Sequence, residues 1–162
     1  MRTLGIDPGE EQSAYVVVDS NSLRICGDGI IPNTTLLDSL DHGDLGVCAN
    51  RLAIEKVEGR GKVVPQSALD TNKWAGRFIQ AWGGPFTEFY PRQIRIALCG
   101  TAAAKPKNIR QAIIDRYPAT GGGYCPQVGI KSKPGPLYGI TSHEWAALAV
   151  ALTYLESCGS GK

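Results

Sequence analysis

Apolar and polar positions alternate over three short runs at the start of the chain, residues 3–7, 12–18 and 23–31, with turn-forming residues between them at 8–11 and 19–22. A period of two sends successive side chains to opposite faces of a strand, and connections this short join antiparallel neighbours, so these runs predict a β-meander. Residues 34–41, TTLLDSLD, place leucines at 36, 37 and 40 behind a threonine suited to capping, which predicts a short helix. RLAIEKVE, 51–58, reads as a strand again, apolar at Leu52, Ile54 and Val57. From about 67 to 82 the period lengthens: Trp74, Phe78 and Trp82 recur at i, i+4 and i+8 with Ala75 and Ile79 beside them, the stripe of an amphipathic helix. Gly83 and Gly84 stop it. That aromatic stripe suits either the core or an interface.

FTEFY, 86–90, is a further strand closed by Pro91. RQIRIALCG and KPKNIRQAIIDRY are two short helices, the first ended by Gly100 and the second entered through Pro106. Residues 118–140, with TGGGY and KSKPGPLYG, predict a long surface loop, and a last helix covers about 142–157 with Ala147, Leu148, Ala151, Leu152 and Leu155 on its packing face. Strands and helices mixed in this order predict an α/β domain over residues 1–162, with helices on a central mixed sheet. No internal repeat is visible.

The composition, 43% hydrophobic and 20% charged over 162 residues, is that of a globular chain able to bury one core. No apolar run approaches the roughly 18 residues needed to span a membrane. The amino terminus enters a strand pattern without a basic flank or cleavage site, so no signal peptide is expected. Five scattered cysteines without a C-x-x-C pair suggest neither a zinc site nor a disulfide scaffold, and a reduced, cytoplasmic protein is expected. Charge is unevenly spread. Residues 1–50 hold two basic residues against eight acidic ones, whereas residues 51–133 hold fourteen Lys or Arg against five acids. Such asymmetry suits a polyanionic partner for the middle of the chain, nucleic acid first, although a basic surface also serves solubility.

Candidate chemistry sits at the ends of elements. Asp7 closes the first strand just before Pro8 and Gly9, either as part of an ordinary hairpin turn or as a carboxylate held for coordination. Glu55 stands where the 51–58 run leaves its core, and His143 lies near the first turn of the last helix. Oxygen and nitrogen ligands at three element ends, in a chain with a basic middle, suggest a magnesium or manganese site acting on phosphodiesters, in which two ions ready a water and stabilise the leaving oxygen. The stretch GRGK at 59–62 lacks the spacing of a phosphate-binding loop, so no nucleotide cofactor is expected.

Four motifs then occur in order: GIDPG with AYVVVD, LAIEKV, YPRQIRIALCGTAAAKPKNIRQAI and HEWAALAVAL. Together they resemble the RuvC-type Holliday junction resolvases of the ribonuclease H-like fold, over most of the chain. The KPGPLYGITSHEWAALA junction is most similar to versions carried by bacteriophages. The resemblance implies a central mixed five-stranded sheet and a homodimer, since a four-way junction offers two equivalent strands to cut. It implies that Asp7 bridges two Mg2+ or Mn2+ ions, that Glu55 is a ligand beside it, and that His143 is the third group, as ligand or as acid and base.

The family's fourth catalytic position, an aspartate, is Ala146 here. Glu144 lies about 100° around the helix from His143 and does not share its face. The stretch TSHE reads instead as a capping box, with Thr141 at the N-cap and Glu144 at N3. An aspartate replaced by alanine would leave a protein that binds junctions and cuts poorly.

Lys105 and Lys107 match the family's DNA-contact turn, with Arg110 one helical turn on. Arg60 and Lys62 just past Glu55, and Lys131 and Lys133 in the long loop, are further candidate phosphate contacts. The aromatic wedge that members often carry soon after the second acid is missing, Glu58 being the third residue after Glu55. The function so implied is metal-dependent paired nicking of four-way and other branched DNA. Its rivals are a non-catalytic junction-binding protein and a ribonuclease H-like nuclease on another nucleic acid. An actin-like ATPase needs two such domains, and 162 residues supply one.

Overall fold

A computed structural model of the chain describes residues 1–45, 49–58 and 64–159. Strand β1 (Arg2–Asp7) is followed by β2 (Gln12–Asp19), β3 (Ile25–Pro32), helix α1 (Asn33–Asp41), β4 (Arg51–Glu55), α2 (Gln66–Trp82) and β5 (Phe86–Phe89). Helices α3 (Pro91–Cys99) and α4 (Pro106–Ile114), the short strands β6 (Gly129–Ile130) and β7 (Lys133–Pro134), and α5 (Glu144–Gly159) complete the order. The five-stranded sheet runs β3-β2-β1-β4-β5: the meander is antiparallel, while β1 pairs β4 and β4 pairs β5 in parallel. This is the mixed sheet the sequence predicts.

Period two sorts the strands' side chains to two faces. Leu4, Ile6, Val17, Leu52 and Ile54 point to one side and are buried with Leu36 and Leu40 of α1 and Ala75 and Phe78 of α2. Ala14, Val16, Val18 and Ala53 point to the other and are buried under α5, with Ile94 and Leu98 of α3 and Ile113 of α4. The aromatic stripe of α2 is divided. Phe78 is fully buried, whereas Trp74 and Trp82 pack only partly against the core, Trp74 stacking on Phe78 at 5.8 Å between ring centroids.

Several boundaries differ from expectation, each for a local reason. β3 begins at Ile25 rather than 23, because Asp19 Oδ1 accepts the N–H groups of Asn21 and Ser22 and closes a tight turn in which Leu23 takes a φ of 56°. β4 ends at Glu55, not at 58: the Val57 N–H donates to Asn72 Oδ1 at 3.1 Å and its carbonyl accepts from Asn72 Nδ2 at 3.2 Å, which takes that residue to α2. α1 starts at Asn33 with no side-chain cap, so the expected threonine cap is not used.

The 118–140 stretch is more than a surface loop. Gly121 N–H donates to the Pro126 carbonyl, Gly122 N–H to Lys133 and Leu137 N–H to Gln127, and Leu137 and Ile140 are buried in the core beside α5. At Gly129, with φ +77°, an added Cβ would strike the facing Gly135 backbone, so the hairpin closes only around glycine.

Candidate active site

The register of the sheet brings two acids together. Gly5 lies opposite Ala53, and Asp7 and Glu55 stand two residues beyond on the same face of adjacent parallel strands, at the ends nearest the start of α5. The turn after Asp7 is a hairpin connection, and it is also braced. Ser13 Oγ donates to Asn33 Oδ1 at 2.6 Å and accepts the Gly9 N–H at 3.1 Å, while Asn33 Nδ2 donates to the carbonyls of Gly9 and Glu10 at 2.9 and 3.0 Å. Both residues are buried. Hydrogen-bonded polar groups in a core specify one geometry, because losing one partner strands the other. Asp7 therefore stands at the start of an ordinary hairpin turn that is itself held in one geometry.

His143 completes a pair with Asp7. Its Nδ1 lies 3.0 Å from Asp7 Oδ2; an ionised carboxylate only accepts, so Nδ1 carries the hydrogen, and in the neutral form of the ring Nε2 is left to accept a hydrogen bond or bind a cation. The imidazole is 74% exposed and the carboxylate 17%. α5 starts at Glu144 rather than 142, after a turn in which Ser142 has a φ of 39°. Glu144 forms the acidic half of the expected capping box, its Oε2 accepting the Thr141 N–H at 2.7 Å. The other half differs from expectation: Thr141 Oγ1 also donates to that oxygen, at 3.0 Å, because the buried carboxylate is the stronger acceptor. Glu144 thus holds the turn that aims His143.

Burial dominates the electrostatics. It raises the Asp7 carboxyl above the usual range, opposed by the hydrogen bond and charge of His143. Burial pushes the Glu55 carboxyl up to about 7, the neighbouring Asp7 adds to the shift, and the Arg95 guanidinium opposes it. Asp28 on β3 is likewise raised, by burial and by Glu144 beside it. A carboxyl raised by burial and by a neighbouring acid marks a place short of positive charge, and hard oxygen donors of this kind suit a divalent cation. Among the described residues, however, no group of three or more His, Cys, Asp or Glu side chains is gathered closely enough to hold a metal ion. Asp7 and Glu55 are the residues whose chemistry suits such a cation, and the three-residue set expected of Asp7, Glu55 and His143 is not assembled as a metal site among the described residues.

Ala146 lines a cavity of about 460 Å³ together with Glu55 and His143, so the position matched to the family's aspartate faces the site and presents a methyl group. Lys105, Lys107 and Arg110 are exposed on the first turns of α4. Arg110 also turns inward, its guanidinium 4.5 Å from the centre of the Trp145 ring. Lys131 and Lys133 are exposed on the β6–β7 hairpin. Arg60 and Lys62 lie outside the described residues.

Sequence reasoning missed Arg95, which lines the cavity and acts on Glu55, and the Ser13–Asn33 brace. Arg95 follows the buried Ile94 on α3, a signal that becomes legible only once that helix is known to flank the acids. No helix among the described residues is long and apolar enough to cross a membrane.

An antiparallel meander continued by two parallel strands, with acids at the ends of β1 and β4 and α5 laid across them, is the ribonuclease H-like fold of RuvC. Thermus thermophilus RuvC superposes with a TM-score of 0.72 at 19% identity, covering 99% of this chain and 97% of that one. T. thermophilus RuvC in complex with Holliday junction substrate gives 0.70 at 19% identity, over 99% and 96% of the two chains. No family model and no curated protein matches the sequence.

Proposed function

We propose that this chain is a dimeric endonuclease for four-way and other branched DNA, acting by hydrolysis of phosphodiesters. The observation that carries the reading is the pairing of Asp7 with Glu55 across adjacent strands and with His143 by a hydrogen bond, residues 48 and more apart in the chain, on a fold that matches T. thermophilus RuvC almost end to end. That the T. thermophilus protein was solved with a Holliday junction supports branched DNA as the substrate.

Asp7 and Glu55 would hold Mg2+ or Mn2+, with His143 beside them. When bound, such an ion supplies a Lewis acid for the phosphate and an acidified water. The chain's own residues prepare the rest. The braced turn holds Asp7 still, Asp7 orients the His143 ring, and the exposed Nε2 of that ring stands ready to accept a proton. Two ions remain the family's arrangement, and the alanine at 146 supplies no oxygen for a second.

That methyl group favours a second reading, junction binding with little cutting. A mobile four-way junction and a linear duplex, each assayed by gel shift and for nicking with and without magnesium, separate the two. The chain as given is expected to bind the junction more tightly than the duplex and to nick it slowly. Ala146→Asp is expected to raise magnesium-dependent nicking at least tenfold, about 1.4 kcal/mol off the barrier. No gain would reject the assigned role of position 146, and equal binding of junction and duplex would reject the function. Paired nicking also needs two sites related by a twofold axis, so sedimentation is expected to show a species of twice the chain mass.

A further inference from the structure

The cavity over Ala146 is bounded by Glu55 and His143 on one side and by α3 and α4 on the other, while Asp7 lines a neighbouring cavity on the far side of His143. Two guanidinium groups line it from different helices, Arg95 on α3 and Arg110 on α4. The Nε of Arg95 is buried and, among the described residues, has no hydrogen-bond partner. Arg110 is steadied by the face of Trp145, a contact that fixes the planar fork while leaving its N–H groups at the edge. Among the described residues the Lys and Arg ion pairs are Lys56–Glu88 and Arg116–Glu156, so neither cavity arginine is committed to a carboxylate within salt-bridge distance. Ala146 and Ala149 leave the room, and Ile94, Ile109 and Trp145 make the walls apolar.

This arrangement inverts the charge expected of a metal-binding wall. A methyl group stands where an acid is expected, two guanidinium cations line the same cavity, and one has a buried donor without an acceptor among the described residues. An oxyanion meets each of these conditions. In a partly apolar cavity charge-assisted bonds from arginine to phosphate are shorter and stronger than at an open surface, and the fork matches two phosphate oxygens.

We propose that the cavity over Ala146 is a phosphate subsite, in which Arg95 and Arg110 hold one internucleotide phosphate of the bound strand beside Glu55 and His143. The inference rests on the reading of this chain as a DNA-binding protein. It gives Arg110 a different task from Lys105 and Lys107. The lysines meet the backbone at the exposed turn, whereas Arg110 and Arg95 grip one phosphate next to the reacting acids.

The test is a charge-deletion cycle between protein and DNA. A four-way junction is prepared with single phosphates near the branch replaced, one at a time, by neutral methylphosphonates. Dissociation constants are measured without divalent metal for the unaltered chain, Arg95→Gln, Arg95→Lys and Arg110→Gln. One methylphosphonate position is expected to weaken the unaltered chain by about tenfold, the scale of a charge-assisted hydrogen bond, and to weaken Arg95→Gln and Arg110→Gln by less than about twofold. Arg95→Lys is expected to fall between.

If the unaltered chain fails to prefer the junction over a duplex, the functional reading falls and takes the subsite with it. If it prefers the junction while every methylphosphonate costs Arg95→Gln and Arg110→Gln as much as the unaltered chain, the subsite alone is overturned. Should Arg95→Gln melt below the assay temperature, Arg110→Gln runs the same cycle from an exposed position on another helix.

Discussion

Glu55 shows how burial turns an ordinary acid into a conditional charge. Its carboxyl is raised from 4.5 to about 7, so the folded state binds the proton more tightly than the unfolded one. The sign follows from linkage: the stabilisation is complete below about pH 4.5 and is lost as pH rises through about 7. At about 1.4 kcal/mol per pKa unit, the loss amounts to roughly 3 kcal/mol. Asp7, also raised, acts in the same direction. Melting temperatures in chelator are therefore expected to fall between about pH 5 and pH 8. Glu55→Gln is expected to flatten most of that slope, and an unchanged slope would contradict the assignment. Magnesium is expected to recover the melting temperature of the unaltered chain at the alkaline end, and to do less for Glu55→Gln. The identities of Asp7, Glu55 and His143 were legible as residues at element ends. Their coupling was not, because local spacing holds no information on which strand ends are neighbours.

At the junction of β1 and α5 a helix rests directly on a strand's backbone. An added Cβ at Gly5 would land on the Ala147 carbonyl oxygen and lie 2.9 Å from the Ala151 Cβ. A helix that rests on backbone needs glycine below and alanine above, which explains the run of small residues in α5. Gly5→Ala is expected to cost about 1–3 kcal/mol of stability by overpacking, read from urea unfolding, with the helix shifted from Asp7 and nicking or binding reduced as well. A neutral substitution would show that α5 can give way. Period two and the leucine, alanine and aromatic spacing predicted every principal strand and helix of the sheet domain. Boundaries erred where side chains took over backbone groups, as Asp19 does before β3 and Asn72 does after β4.

Charge organises the molecule as a whole. The basic middle of the chain contributes α3, α4 and the β6–β7 hairpin, and the first two flank Glu55. Exposed phosphate contacts release counterions, so binding is expected to weaken steeply with salt, and replacing Lys105 and Lys107 together by alanine should lower the log–log salt slope by about two, on junction and duplex alike. An unchanged slope would remove that turn from the interface. Linear order decided the element types, the acids at their ends and the uneven charge, because period, turn chemistry and composition are local properties. Folding alone decided that Asp7 and Glu55 are neighbours, that His143 bonds Asp7, that Ala146 faces them, and that Arg95 stands close by. Those contacts join residues from four distant segments, and their meeting follows from strand register and helix packing, which no short window of sequence contains.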